Sequence, residues 1–266
     1  MIKIISIAQG KKQGVFKIEF DNGEALFVVE DVLVKYRLTK ERELTEEEFL
    51  EIQQENQLQK GLNLALRYID FQMRSILETD QYLREKEIDE PSRIAILERL
   101  QEMKWLDDLN YAKSFVRTKK RVSDKGVYHL SYQLKQKGVK SELIEEALLE
   151  FSEEEQHELA LKVAGSLAKQ YRKRSYREAL QKIRLGLNNK GFTSQDIQFA
   201  FEHLEFEKDE EAEWTLLLRE CEKLWHKFRN FDRYKRVMKT KEKLYQKGFE
   251  SDLITHAIEE VESDEE

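Results

Sequence analysis

The chain has 266 residues, of which 37% are charged and 40% hydrophobic, and its formal net charge at pH 7 is −7. Its single cysteine, Cys221, excludes an internal disulfide and suits a reducing compartment. The chain has no apolar run near the ~18 residues that span a bilayer, and residues 1–7 are too short for a signal peptide's apolar segment. We therefore expect a cytoplasmic protein with one large core or several small ones.

Residues 1–38 are predicted to form a small antiparallel sheet and a short covering helix. Residues 2–8 are rich in β-branched side chains, residues 15–20 alternate apolar and polar, and residues 25–29 are apolar. Asn22-Gly23 between the last two runs predicts a hairpin with a type I′ turn, which needs positive φ at both central residues. The expected sheet therefore has three strands.

Residues 39–60 are predicted to be a helical connector. Thr45 and Glu48 form the sequence pattern of a capping box, which marks the start of a helix that runs into the following segment. Gly61 is expected to break or kink this helix.

A repeated motif follows and organises the rest of the chain. Residues 134–148, 187–201 and 244–258 share the pattern Leu, two residues, Lys-Gly, Val or Phe, one residue, Ser, two residues, Ile, two residues, Ala. A degraded copy begins at Leu83, with Glu87 in place of the glycine. The four leucines are 51, 53 and 57 residues apart, a spacing typical of tandem supersecondary units.

Each position of the motif has a structural explanation. Gly138, Gly191 and Gly248 are predicted to end a helix in the left-handed conformation that glycine adopts at little cost. The serine three residues later, as in Ser141 and Ser194, is predicted to cap the next helix. The motif therefore predicts a helix, a tight turn and a second helix, with no chemistry of its own.

The fold class predicted from these patterns is mainly α, an elongated array of four tandem three-helix repeats behind the small sheet. The predicted boundaries are 61–104 for the first repeat, 105–152 for the second, 153–207 for the third and 208–262 for the fourth, with an acidic tail at 263–266.

Charge follows the same period as the repeat. Residues 113–140 hold nine Lys or Arg against one acid, whereas residues 141–158 hold eight Glu and no Lys or Arg. The bases recur where the first helix of a unit meets the second, and we take them as a candidate binding stripe: Lys119, Lys120, Arg121, Arg172, Lys173, Arg174, Arg177, Arg184, Arg229, Arg233, Lys235 and Arg236. Two interpretations stay open, namely solvated faces with intramolecular pairing and an extended docking surface.

Catalytic patterns are absent from the sequence. It contains no glycine-rich phosphate loop and no Cys or His pair at metal-ligand spacing. We therefore expect no enzyme activity, no cofactor and no metal.

With these residues in view, the chain resembles the RecX family of bacterial RecA regulators, over roughly residues 60–262. The resemblance rests on Trp105-Leu106-Asp107-Asp108 with Tyr111-Ala112, then Arg117, Lys125-Gly126 and the Lys137-Gly138 turn. The fourth repeat and the segment before residue 60 look like the longer Gram-positive members. Met103-Lys104-Trp105 departs from the family's Gly-Tyr, and Glu87 departs from its glycine.

The resemblance implies a monomeric, non-enzymatic cytosolic regulator that does not bind membranes. Its partner would be a RecA–single-stranded-DNA filament, whose ATPase, strand-exchange and co-protease activities it limits, with possible contact to the DNA itself. Under the resemblance, the motif residues Trp105, Leu106, Asp107, Asp108, Arg117, Gly138, Gly191 and Gly248 are structural.

Two alternatives of other classes stay open. One is a direct DNA binder, in which each Ser-initiated third helix acts as the recognition helix of a helix-turn-helix. Glu145, Glu146 and Glu202 on those helices argue against it, because carboxylates repel phosphates. The other is a helical-repeat adaptor for an unrelated protein.

Overall fold

A computed structural model describes residues 1–265, so Glu266 of the predicted acidic tail lies outside the described residues. The described chain is mainly helical, with thirteen helices and four strands. It divides into two compact units: the first contains residues 1–115 and 133–147, and the second contains residues 116–132 and the chain from 148 onward.

The sheet at the start of the first unit has four strands, not the predicted three. They are β1 (Ile2–Gln9), β2 (Val15–Phe20), β3 (Ala25–Val29) and β4 (Glu43–Leu44), in the order β3-β2-β1-β4 and antiparallel throughout. Strand β4 consists of only two residues, which pair with Ile2 and Lys3. A segment this short carries no periodic signal, so sequence reasoning missed it.

The hairpin between β2 and β3 is confirmed, but its turn is not type I′. Only Gly23 in the loop takes positive φ, at +84°. Gly23 N donates to Phe20 O at 3.1 Å, and Phe20 N donates to Glu24 O at 3.0 Å. This pattern fits a type I turn followed by a left-handed glycine, the usual three-residue hairpin loop. Asn22 instead accepts a hydrogen bond from Glu24 N through its side chain.

Helix α1 (Glu30–Lys35) and the first half of α2 (Glu46–Phe71) cover the sheet. The predicted capping box of Thr45 and Glu48 is confirmed at the start of α2. The predicted break at Gly61 is wrong, because α2 continues through it. Gly61 is needed for close packing: a Cβ there would lie 2.5 Å from Ile96 Cδ1.

Asn56 of α2 closes the free edge of the sheet. Its side chain is 6% exposed, donates to Phe27 O at 2.8 Å and accepts from Val29 N at 3.0 Å. These two backbone groups belong to the edge strand β3, so one amide side chain substitutes for a neighbouring strand.

The remaining helices belong to the predicted repeats, and the second half of α2 packs with α3 and α4 as the first helix of the first repeat. They are α3 (Ile76–Glu85), α4 (Glu90–Glu102), α5 (Asp108–Val122), α6 (Val127–Gln136), α7 (Ser141–Leu148), α8 (Glu153–Tyr171), α9 (Tyr176–Asn189), α10 (Ser194–His203), α11 (Glu210–Lys227), α12 (Arg233–Gln246) and α13 (Ser251–Ser263). The second helices are α3, α6, α9 and α12, and the Lys-Gly turns follow the last three of them.

The predicted left-handed turns are confirmed. Gly138, Gly191 and Gly248 have φ of +78°, +81° and +88°. In each turn the N–H of the residue after the glycine donates to the carbonyl oxygen of the repeat leucine, as Val139 N does to Leu134 O at 3.2 Å. Glu87 takes the same conformation, with φ of +58°, so the degraded copy keeps the turn without its glycine.

The predicted serine caps are wrong by one residue. Thr193, not Ser194, caps α10, and its hydroxyl accepts from Asp196 N in a capping box. Helix α13 begins at Ser251 after the extended residue Glu250, which makes no side-chain cap. The chain enters the helical conformation one residue earlier than expected, so these serines are the first helical residues.

Each repeat in the second unit buries its own core. Ile183, Leu187 and Phe192 pack with the alanines of α8, whereas Leu217, Trp225 and Leu244 pack with α13. None of the helices within residues 1–265 is long and apolar enough to cross a membrane.

Repeat junctions and a candidate partner-binding surface

The Lys-Gly turns after α6 and α12 each dock onto the amino end of an earlier second helix. In the first unit, Ser75 Oγ donates to Lys137 O at 2.7 Å, and Lys137 Nζ lies 2.6 Å from Glu78 Oε1. A Cβ on Gly138 would lie 2.5 Å from Leu77 Cβ. The glycine is therefore required by close approach as well as by its φ.

A carboxylate completes this junction. Asp108 is buried, and its Oδ1 accepts from Ile76 N, the first residue of α3, at 2.9 Å. The family resemblance implies a structural role for both Asp107 and Asp108 without distinguishing them. Only Asp107 caps α5, by accepting from Leu109 N and Asn110 N. Burial raises the pKa of Asp108 despite its backbone hydrogen bond.

The second unit repeats the same junction at α9. Ser175 Oγ donates to Lys247 O, and a Cβ on Gly248 would lie 2.9 Å from Ser175 Oγ. Glu213, 9% exposed, accepts from Tyr176 N at 2.9 Å, as Asp108 does in the first unit. Burial raises the pKa of Glu213.

A variant of the junction joins α6 to the turn after α9. Gly126 N donates to Lys190 O at 2.9 Å, and Tyr128 N donates to Gly191 O at 3.0 Å. Lys190 Nζ also forms an ion pair with Asp124. The Lys-Gly pair therefore both ends a helix and binds a neighbouring helix, a second role that local sequence patterns do not reveal.

The other residues of the family motif differ in exposure and in their contacts. Leu106 is buried, whereas Trp105 is 50% exposed. Arg117 forms a two-pronged contact with Glu150, with both distances 2.7 Å.

Part of the candidate binding stripe forms ion pairs within the molecule. Lys120 contacts Glu155 at 2.7 Å, and Arg233 contacts Glu262 at 2.5 Å. Arg236 lies 4.0 Å above the ring of Trp225 and contacts Glu265 at 2.8 Å. In these cases bases of first and second helices pair with acids of α8, of α13 or of the residues just after α13, so this part of the charge pattern is intramolecular pairing.

Other members of the stripe have weaker or different contacts. Arg174 lies 3.1 Å from Glu178, and Lys235 lies 3.4 Å from Asp232. Arg184 stacks 4.8 Å from the centre of the Phe201 ring. Arg229 Nη1 lies 3.0 Å from His226 Nε2. Lys119 is half-buried near the end of α5.

Four bases of the candidate binding stripe are exposed and, within the described residues, have no ion pair, ring contact or side-chain hydrogen bond: Arg121, Arg172, Lys173 and Arg177. Three of them surround the turn between α8 and α9 together with Arg174. We call Arg172, Lys173, Arg174 and Arg177 the turn cluster.

A groove that sequence reasoning missed borders the turn cluster. It encloses about 1010 Å³ within the second unit. Helix α8 and three members of the turn cluster, Arg172, Lys173 and Arg174, form one wall, and the segment from His203 to Asp209 with the first half of α11 forms the other. Leu161, Ala168, Leu204 and Leu216 supply apolar lining.

Comparison with known proteins identifies the family. Models of the first, second and third three-helix domains of RecX match residues 62–100, 107–148 and 210–258. A protein from Enterococcus faecalis named regulatory protein RecX is 43% identical over the full length of both chains. The chain belongs to the RecX family. A Bacillus subtilis relative with the same name is 37% identical over 96% of each chain.

Solved RecX structures agree with this assignment. A crystal structure of regulatory protein RecX matches with a TM-score of 0.64 and 34% identity, covering 76% of this chain and all of the other. RecX from Lactobacillus salivarius matches with a TM-score of 0.54 and 34% identity, over 56% of this chain and 97% of the other. The three matched RecX domains leave residues 149–209, which contain α8, α9 and α10, between the second and the third.

Proposed function

We propose that this RecX-family chain regulates RecA by binding along a RecA–single-stranded-DNA filament and mainly inhibits its ATPase, strand-exchange and co-protease activities. It acts in the cytoplasm, as a monomer and without chemistry of its own. The support is family membership at high coverage, together with relatives named regulatory protein RecX.

The observation that carries the binding part of the proposal is the turn cluster. Arg172, Lys173 and Arg177 are exposed and without ion pairs among residues 1–265. A single exposed ion pair with a partner would contribute only ~0–1 kcal/mol. Several acting together can hold a polar filament, and their attraction is screened by salt. Lys120 and Arg236, by contrast, already have intramolecular partners.

The test reverses charge only where the structure shows no internal partner. In the variant Arg172→Glu, Lys173→Glu, Arg177→Glu, we expect the half-inhibitory concentration for DNA-dependent RecA ATPase to rise at least tenfold. A loss of ~1.4 kcal/mol is enough for that factor. Arg174 is left in place because its pair with Glu178 contributes to α9.

The control carries the same change of charge elsewhere. Lys11, Lys12 and Lys40 are exposed bases in the amino-terminal segment, and the three are changed to Glu together. Both variants should melt near the wild-type temperature. Equal inhibition by the turn-cluster variant and the wild type, at low and at moderate salt, would refute the assignment of this surface.

A second candidate contact, to single-stranded DNA within the filament, is favoured by the outer face of α12. Tyr234, Met238 and Tyr245 are 74%, 52% and 59% exposed and lie at i, i+4 and i+11, on one side of the helix. Lysines flank them, and exposed aromatic rings among bases suit stacking on unpaired bases. Changing Tyr234 and Tyr245 to Ala should then weaken binding to bare single-stranded DNA; unchanged binding would remove this candidate.

The helix-turn-helix alternative is less well supported. The acids of the third helices that would meet the phosphates are exposed, namely Glu145, Glu146, Glu202, Glu259 and Glu260. Such a face repels DNA. An adaptor role for an unrelated protein stays an alternative, which a pull-down with and without RecA filaments would decide.

A further inference from the structure

Gly165 is a poor helix former inside a helix, and no packing contact within the molecule explains it. It lies inside α8, where glycine is less favourable than alanine. The other helix-interior glycines are explained by packing, since a Cβ on Gly61 would lie 2.5 Å from Ile96 and one on Gly186 would lie 2.8 Å from Leu167. A Cβ on Gly165 would meet nothing within 4 Å. The space that its missing side chain leaves is therefore open.

That open space belongs to the groove beside the turn cluster. Gly165 lines it, and Ala168 follows three residues later on the same side of α8. Neither residue carries a side chain larger than a methyl group into the groove. Local departures from good helix formation that packing does not explain are expected at functional sites.

We propose that the groove binds a protein segment of the regulated filament, with one apolar side chain seated over Gly165 and carboxylates beside it. This rests on the proposed function and names the kind of partner at the same site. Lys169, Arg172 and Lys173 on the α8 wall would receive the carboxylates. The apolar side chain would contact Leu204 and Leu216 opposite. The volume of about 1010 Å³ is ample for a few side chains.

Charge across the groove favours protein over nucleic acid. The wall opposite the bases carries Glu205, Glu207 and Asp209 against one base, Arg219, and this excess of acids would repel a phosphate backbone. A peptide can present a carboxylate to one wall and backbone N–H groups to the other. Phe206 of the lining stacks on Tyr176, at 5.5 Å between ring centres, so one face of each ring is already occupied.

The test fills the groove while improving the helix. In Gly165→Leu, we expect binding to RecA filaments assembled on oligo(dT) to weaken at least about tenfold, as for a blocked hot-spot pocket. Gly165→Ala should raise the melting temperature by about 2–4 °C, because alanine favours the helix and meets no neighbour. A loss of binding in a variant that is at least as stable as the wild type cannot be attributed to unfolding. Ser166→Leu, an exposed neighbour outside the groove, is the matched control.

The outcomes separate this proposal from the proposed function. If the wild type fails to bind RecA filaments, both are refuted. If the wild type binds and Gly165→Leu binds equally well, the groove proposal alone is refuted. If Gly165→Leu weakens binding to oligo(dT) without RecA to the same degree, the occupant is nucleic acid and the proposal of a protein segment is wrong.

A cross-linking experiment identifies the occupant directly. Thr215 is exposed on the groove wall and has no assigned part in binding, and Thr215→Cys can carry a photoreactive label. The native thiol does not compete, because Cys221 is buried and burial raises its pKa to about 12. We expect cross-links to a RecA peptide with an apolar residue beside Asp or Glu. Cross-links to the oligonucleotide, or to a RecA segment without carboxylates, would overturn the proposal.

Discussion

The glycines of the Lys-Gly turns have two independent reasons to lack a side chain. Gly191 has φ of +81°, a left-handed conformation in which a Cβ would crowd its own backbone. A Cβ there would also clash with the backbone of His129. Gly248 combines a φ of +88° with the close approach of Ser175 Oγ. Sequence reasoning recognised only the first reason, since the second depends on a contact with a residue more than sixty positions away.

Gly191→Val should therefore cost more than its backbone conformation alone requires. The left-handed conformation accounts for ~1–2 kcal/mol, and overpacking against α6 adds about 1–3 kcal/mol. Urea unfolding should show the sum as a lower midpoint. Glu87→Gly is the opposite control, because Glu87 already has φ of +58° and glycine should stabilise that turn by up to about 1 kcal/mol. A midpoint for Gly191→Val equal to that of the wild type would disprove the account of the turn.

Glu213 makes stability depend on pH in a direction opposite to that of an ordinary paired carboxylate. Its pKa is raised by burial, so the folded chain binds this proton more tightly than the unfolded chain does. The resulting stability is present below the unfolded pKa of about 4.3 and is lost as pH rises through the folded value.

Glu213→Gln keeps an oxygen that can accept from Tyr176 N and removes the titration. We expect the variant to gain stability relative to the wild type as pH rises from 4 to 7, measured by urea unfolding at each pH. Glu259→Gln, at an exposed position, is the control. A difference between variant and wild type that stays constant with pH would contradict the role of burial.

At the scale of the element, Asn56 protects the edge strand β3 from pairing with another chain. It pairs with two backbone groups of β3 that would otherwise be open to another chain. Asn56→Leu leaves both groups without a partner, and each such loss costs ~1–3 kcal/mol. We expect a lower urea midpoint and self-association in sedimentation. Asn63→Leu, half-buried further along α2, is the control, and equal behaviour of the two would show that the edge is not protected by Asn56.

Elements with local signals could be predicted from the sequence, and elements set by distant contacts could not. The capping box at Thr45 and the turn at Gly138 follow from short-range chemistry, and both are present. Strand β4 has only two residues, and Asp108 serves a helix 32 residues away in sequence. The groove depends on the open space beside Gly165, and the helical pattern around this residue does not predict that space.

At the scale of the whole molecule, charge has two separate uses. Pairs such as Arg117 with Glu150 hold helices together but are exposed, and each contributes ~0–1 kcal/mol. The turn cluster is directed to a partner in our proposal. Raising the salt concentration from 0.05 to 0.5 M should therefore change the free energy of unfolding by less than about 2 kcal/mol while it weakens filament binding at least tenfold. Parallel salt dependences of folding and of binding would show that the two uses are not separate.

The elongated shape predicted from four tandem repeats stays a prediction. Small-angle scattering would check it, and the scattering profile of a compact sphere would contradict it.

The junction has a consequence for how such chains change length in evolution. The docking parts are the same at α3 and α9: a serine hydroxyl on a lysine carbonyl and a carboxylate on the first helical N–H. A duplicated unit would bring both halves of the joint with it and would need no new complementary surface. The segment between the second and third matched RecX domains, residues 149–209, contains α9, whose Ser175 supplies one half of such a joint.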